Sequence, residues 1–225
     1  MNARPTYKLL AATFVVSLFA TLSAQAPEPA PPVGATKIQV FVYNYAAVAP
    51  ETLARAERQA ARIYSRTGIE TEWLDCPLSP GEAARFPACQ LPPSPARLAL
   101  RLLSRPMAER IGLSQATFGS ALLPEDGGFG MTAQVCAHCC EELAKGSESL
   151  HAAILGHVMA HEIGHLLLGI GSHGPTGLMH VPWRHKELES VAQGTLLFTP
   201  SEGEKMRRQV AARLNEQGSM QASKK

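Results

Sequence analysis

LHAAILGHVMAHEIGHLLLG, residues 150–169, reads as one long helix, and its reading decides the fold. Leu155, Met159, Ile163 and Leu166 recur at three- and four-residue spacing, which gathers apolar side chains on one buried side. A second row, Ala152, Gly156, Ala160 and Gly164, is spaced by four and carries only small side chains, so another backbone can come close. Two glycines inside a helix cost up to about 1 kcal/mol each relative to alanine, a penalty that close packing next to a site would explain. The helix is expected to end at Gly169.

Working outward toward the N-terminus, Lys37 to Tyr45 alternates and is rich in β-branched and aromatic residues, which predicts a strand. A helix follows from Pro50 to Thr67, opened by proline in its first turn and ended by Gly68. Ile69 to Leu74 reads as a second strand, so the order strand, helix, strand places two parallel strands side by side. Arg97 to Leu103 suits a third strand, although its composition would also serve a short helix. Gly119 to Leu123 and Met131 to Cys136 are short apolar stretches among glycines, expected to form a ragged edge of the same sheet. Beyond Gly169 the chain reads as loop until Lys186. A last helix starts at Thr199-Pro200-Ser201-Glu202, a capping box with proline at the first helical position. The order predicts an α+β domain.

The ends read differently. Arg4 and Lys8 precede an apolar run from Leu9 to about Leu22, with Ala24 and Ala26 at cleavage distance, so residues 1–26 are expected to be a signal peptide. The run falls short of the roughly 20 apolar residues that span a bilayer, so no stable membrane anchor is expected. Residues 27–35, PEPAPPVGA, form a proline-rich spacer, and the folded domain is expected to cover 36–215 with a frayed tail over 216–225. That division leaves no room for a folded prodomain. Loss of residues 1–26 removes Arg4 and Lys8 and leaves 19 basic against 19 acidic residues. A neutral balance gives no electrostatic reason to expect nucleic acid or an anionic membrane as partner, and nothing signals an oligomeric state.

The chemistry centres on His161-Glu162-Ile163-Gly164-His165. Helical residues four apart sit one above the other, so His161 and His165 can present imidazole nitrogens to one metal ion, with Glu162 on the neighbouring flank. Zn2+ suits such ligands, and a catalytic zinc keeps one of four positions for water, so a third protein ligand is needed. Glu162 is the candidate to take a proton from that water and pass it to a departing amine.

With Gly169, His173 and Gly177-Leu178-Met179 downstream, the segment resembles the metzincin clan of zinc peptidases. The resemblance implies a zincin-like domain: a twisted mixed sheet above a cleft, two long helices, an upper lobe over 36–169 and a small C-terminal helical lobe over 170–215. It implies that His173 is the third zinc ligand and that Met179 belongs to a methionine turn beneath the metal. The spacing departs from the clan's pattern, because three residues rather than two separate His165 from Gly169, and three rather than two separate Gly169 from His173. Val181 stands where the astacin family has a tyrosine. Glu187 or Glu189 is the alternative third ligand. His157 reads as a polar residue lining the cleft, or else as a partner or substitute for the metal ligands. His180 and His185 read as ordinary loop residues, and Trp183 after Pro182 as either a pocket wall or a core residue.

Five cysteines in a chain expected to be exported point to disulfides with one thiol left over. Cys76 and Cys89 bracket a loop and are the natural pair. Cys136, Cys139 and Cys140, with His138 among them, read as a disulfide plus a thiol, with a thiol-rich second zinc site as the alternative. A free thiol on a sheet edge over the cleft would be placed to reach the catalytic zinc and hold the enzyme latent. The functional expectation is a secreted or periplasmic zinc-dependent endopeptidase acting on protein or peptide substrates with Glu162 as general base and acid. The alternatives are a zinc-binding module without turnover, and a zinc hydrolase of a non-peptide amide such as a cell-wall component.

Overall fold

The computed structural model describes residues 36–91, 94–114 and 117–222. The expected signal peptide and the whole spacer lie outside them. Strand β1 (Lys37–Asn44) leads through helix α1 (Pro50–Ser65) to β2 (Glu70–Cys76), which lies parallel to it. After the short helix α2 (Pro80–Ala83) and a 3-10 turn, β3 (Arg97–Leu103) pairs parallel with the other side of β1. Helix α3 (Arg105–Arg110), β4 (Gly119–Leu122) and β5 (Thr132–Cys136) follow, then α4 (Ala137–Ala144), α5 (Glu148–Leu168), α6 (His185–Gln193) and α7 (Pro200–Ala222). The sheet order is β2-β1-β3-β5-β4, with only β4 antiparallel to its neighbour. The architecture is therefore a five-stranded mixed sheet with helices, as the order of elements predicts.

Arg97–Leu103 is a strand, as expected, with alternate residues Leu98, Leu100 and Leu102 all fully buried in the sheet core. Two other expectations need correcting. The 132–136 segment is not an edge, since β5 lies between β3 and β4 and β4 alone forms that border. Helix α7 runs on to Ala222, past Asn215 where fraying was expected. Its start keeps the capping box, with Thr199 N–H donating to Glu202 Oε2 at 2.7 Å and Glu202 N–H to Thr199 Oγ1 at 3.3 Å.

Helix α5 is buried around nearly its whole circumference from Ile154 to Leu168, which is why its sequence is apolar on more than one stripe. The small residues are used on two sides. At Gly156 a Cβ would stand 2.5 Å from the Ala56 carbonyl oxygen, so this glycine lets α1 lie directly against α5. At Gly164 a Cβ would meet Phe198 Cε1 at 2.9 Å and Met179 Sδ at 3.0 Å, so the second glycine admits the chain that returns beneath the helix. The far end of α5 is held by Arg213 of α7, fully buried, which donates to the carbonyls of Pro95, Gly130 and Leu166. Among the described residues no helix is long and apolar enough to cross a membrane.

Candidate metal centre

The second half of α5 carries His161, Glu162 and His165, and Gly169 at φ +86° turns the chain out of the helix. The loop that follows brings His173 back over the same face. His161 Nε2 and His165 Nε2 stand 3.0 Å apart, and one ligand atom from each of His161, His165 and His173 lies within 4.8 Å of the others. The rings of His161 and His173 are centred 5.5 Å apart, those of His165 and His173 4.7 Å. The structure thus brings together the three histidines that the sequence singles out. The extra residues on either side of Gly169 are absorbed by Gly169 and by Gly171, itself at φ +69°.

The donor chemistry fits a metal such as zinc. His161 Nδ1 is 2.8 Å from the Leu178 carbonyl oxygen, which can only accept, so Nδ1 carries the proton and Nε2 keeps its lone pair for the centre. His165 Nδ1 is 2.7 Å from Ser172 Oγ, which fixes the ring with its Nε2 pointing inward as well. With the Nε2 atoms this close, a shared proton or a cation between them satisfies their lone pairs. Zinc–nitrogen bonds of about 2.0–2.1 Å at a tetrahedral angle separate nitrogens by about 3.3 Å, close to what is seen. Burial, with smaller contributions from neighbouring histidines, pushes the imidazoles down, to about 4 for His161 and about 3 for His165, so both are neutral and able to ligate at ordinary pH.

Glu162 is 5% exposed and faces the same cleft, and loss of hydration pushes its carboxyl up to about 8. A proton affinity near neutrality suits a group that must both take and give a proton. The cleft, about 530 Å³, has otherwise apolar walls that include Phe118, Ala121 and Leu123 on one side and Val181, Pro182 and Trp183 on the other. Trp183 also packs against the core and meets His161 edge-on at 5.9 Å, so pocket wall and core residue are one position here. Met179 is fully buried under α5, against Gly164.

Other sequence candidates lie elsewhere. His157 does not line the cleft. It is fully buried between α1 and α5, its Nδ1 donating to the Ala153 carbonyl at 2.7 Å and its Nε2 3.4 Å from Gln59 Nε2, because α1 covers the first half of this helix face. Glu187 accepts from the Arg184 N–H at 2.9 Å and caps α6, and Glu189 pairs with His185 at 3.1 Å. His180 Nδ1 stands 3.3 Å from the Gly174 carbonyl. Cys76 pairs with Cys89 and Cys136 with Cys139, leaving Cys140 as a fully buried thiol outside the three-histidine group. Because the free thiol, Cys140, is buried on α4 and β5 is internal, no free thiol is presented on a sheet edge over the cleft among the described residues. Two contributors went unread in the sequence: Ser172 and Gly119. A serine four places after the last helical residue and a glycine that opens a short strand carry no signal of their own.

No protein-family model matches the chain, and neither does any curated protein. Among solved structures, the chain is similar to archaemetzincin from Methanopyrus kandleri, at 17% identity, over 78% of this chain and 96% of that chain, with a TM-score of 0.47.

Proposed function

We propose that the protein is an exported zinc-dependent endopeptidase that hydrolyses peptide bonds at the three-histidine centre. The observation that carries this reading is the convergence of His161, His165 and His173 within 4.8 Å beside the buried carboxyl of Glu162. Bound there, zinc supplies the Lewis acidity that acidifies water and polarises a carbonyl. His161 and His165 hold their Nε2 atoms toward the centre through the Leu178 carbonyl and Ser172 hydroxyl, and His173 completes the set. Glu162 takes a proton from the attacking water on a carboxylate oxygen and returns it to the departing nitrogen. The carboxylate beside the ligands favours turnover over mere metal storage, because a structural zinc has no use for it. The apolar walls of the cleft receive an apolar substrate side chain and limit competing water.

Export is supported by the sequence of residues 1–26 and by two disulfides, which persist in oxidising compartments. The test is a peptide-library digest with the protein, its Glu162→Ala variant and a chelator control, alongside zinc content for His173→Ala. Cleavage that disappears in both controls, with zinc lost on His173→Ala, is the expected result. Stoichiometric zinc with no peptide cut would overturn the peptidase reading in favour of a non-peptide amide or a binding role.

A further inference from the structure

A second group of metal-ligating atoms, separate from the three histidines, lies where β5 ends and α4 starts. Cys136 is the residue before the first turn of α4, His138 and Cys139 lie within that turn, and the spacing Cys-x-x-Cys keeps both sulfurs on the same end of the helix. His138 Nε2 is nearly equidistant from the two sulfurs, 3.5 Å from Cys136 Sγ and 3.6 Å from Cys139 Sγ, while its Nδ1 is 3.2 Å from Cys136 Sγ. Zinc–sulfur bonds of about 2.3 Å and zinc–nitrogen bonds of about 2.0–2.1 Å at a tetrahedral angle separate sulfur from nitrogen by about 3.6 Å. The imidazole therefore already stands at zinc-site distance from both sulfurs, although they are joined as a disulfide.

We propose that reduction of the Cys136–Cys139 bond opens a second zinc site made of Cys136 Sγ, Cys139 Sγ and His138 Nε2, with solvent in the fourth position. The sulfurs lie buried in a small apolar cluster with Leu103, Ala108 and Leu113, where a thiolate is costly on its own and is stabilised by a bound cation. The start of a helix favours the thiolate form that a metal needs. His138 is partly exposed and lines a cavity of about 540 Å³, through which an ion reaches the imidazole. Glu141 lines the same cavity but stands outside the ligand group, so water rather than this carboxylate fills the fourth position.

The reductant is a dithiol. One of its thiolates attacks a cysteine sulfur and breaks the Cys136–Cys139 bond, its second thiolate resolves the mixed disulfide, and the products are two cysteine thiols and an oxidised dithiol. Two electrons pass to the protein. Metal binding then releases the two thiol protons. Cys140, next in sequence, is fully buried and outside the group, so it is not a ligand.

The test compares zinc per chain for the oxidised protein and for protein reduced anaerobically with a phosphine, with thiols counted after alkylation. A gain of one equivalent on reduction is expected, whatever the three-histidine centre holds, so the result does not depend on the peptidase reading. Substituting Co2+ should give a thiolate charge-transfer band only in the reduced sample. Both signals should survive in Cys76→Ser/Cys89→Ser and in Cys140→Ser, vanish in Cys136→Ser/Cys139→Ser, and weaken at least tenfold in affinity in His138→Ala. No gain on reduction, a gain that survives loss of Cys136 and Cys139, a gain lost with Cys140→Ser, or a disulfide that stays closed under the phosphine would each overturn the proposal.

Discussion

The side chain of Glu162 lies against the bare Cα of Gly119, where a Cβ would fall 2.4 Å from Cγ, 2.5 Å from Cδ and 2.6 Å from Oε1. Gly119 opens β4, the border strand of the sheet, so the absence of one carbon sets where the carboxyl can stand in the cleft. Gly119→Ala is expected to push Glu162 aside. Misplacing a reacting group by about 1 Å costs on the order of 100-fold in turnover. Zinc content should stay unchanged because the atoms nearest a Cβ at this position all belong to Glu162, which is not a ligand. Equal kcat in the variant and the parent, in the peptide assay, would contradict the placement.

Ser172 is the partner that orients His165, its Oγ standing 2.7 Å from Nδ1. Partners of this kind are worth roughly 10- to 100-fold in metal affinity. Ser172→Ala should therefore weaken zinc binding by that factor, measured by competition with a chelator, while thermal stability changes little because the serine lies in a loop. His161 should be insensitive to the same change, since its Nδ1 is held by the Leu178 backbone, which no side-chain substitution at 178 removes. Unaltered affinity in Ser172→Ala would mean that His165 is held by something else.

The difference between these two partners explains how far the sequence could be read. His161, Glu162 and His165 were legible because helical periodicity alone puts them together, and Gly156 and Gly164 because two glycines in a helix need a reason. Gly119 and Leu178 act through a missing side chain and a carbonyl, which any sequence motif leaves invisible. His157 was misread for a related reason. Periodicity places it on the same face as His161, but only the packed structure shows that α1 covers that face as far as Gly156 and His157 and leaves it open beyond. The sheet followed the same pattern: β1, β2 and β3 were readable from their own residues, whereas the position of β5 inside the sheet depends on β4 adding outside it. Helix α4 begins directly after β5 with no turn residue between them, so nothing in the sequence announced it.

A pH effect on stability is expected from Glu57 of α1. Burial first, and then the charge and hydrogen bonding of Asp75 on β2, hold its carboxyl up at about 8 against an ordinary 4.5. Folded protein therefore keeps a proton that the unfolded chain releases. The stabilisation is complete below the unfolded value and is lost as pH rises through the folded one. Because the group is partly exposed, the effect is discounted to about 1 kcal/mol. Glu57→Gln should remove it: the parent should lose about 2–4 °C of Tm relative to the variant between about pH 5 and about pH 9. Parallel Tm profiles for the two proteins across that range would rule the coupling out.

Arg213 joins the C-terminal helix to the metal-bearing one. Its guanidinium is fully buried, donates to Pro95 O at 2.7 Å and to Gly130 O at 3.0 Å, and also bonds Leu166 O in the last turn of α5. The ring of Phe129 lies 4.6 Å beneath it. Carbonyls at a helix end lack partners within the helix and carry partial negative charge, so a cation there both satisfies and attracts them. Burial lowers the guanidinium to about 10, which still leaves it charged at neutral pH. Arg213→Met removes the donors and strands three carbonyls, at a cost of about 3–5 kcal/mol. Lysine should not rescue, because a single ammonium cannot span carbonyls arranged for a planar fork. Since Leu166 directly follows His165, zinc affinity should fall together with the denaturation midpoint in both variants. A methionine variant that unfolds at the parent's denaturant concentration would show that this buried cation does not hold α7 to α5.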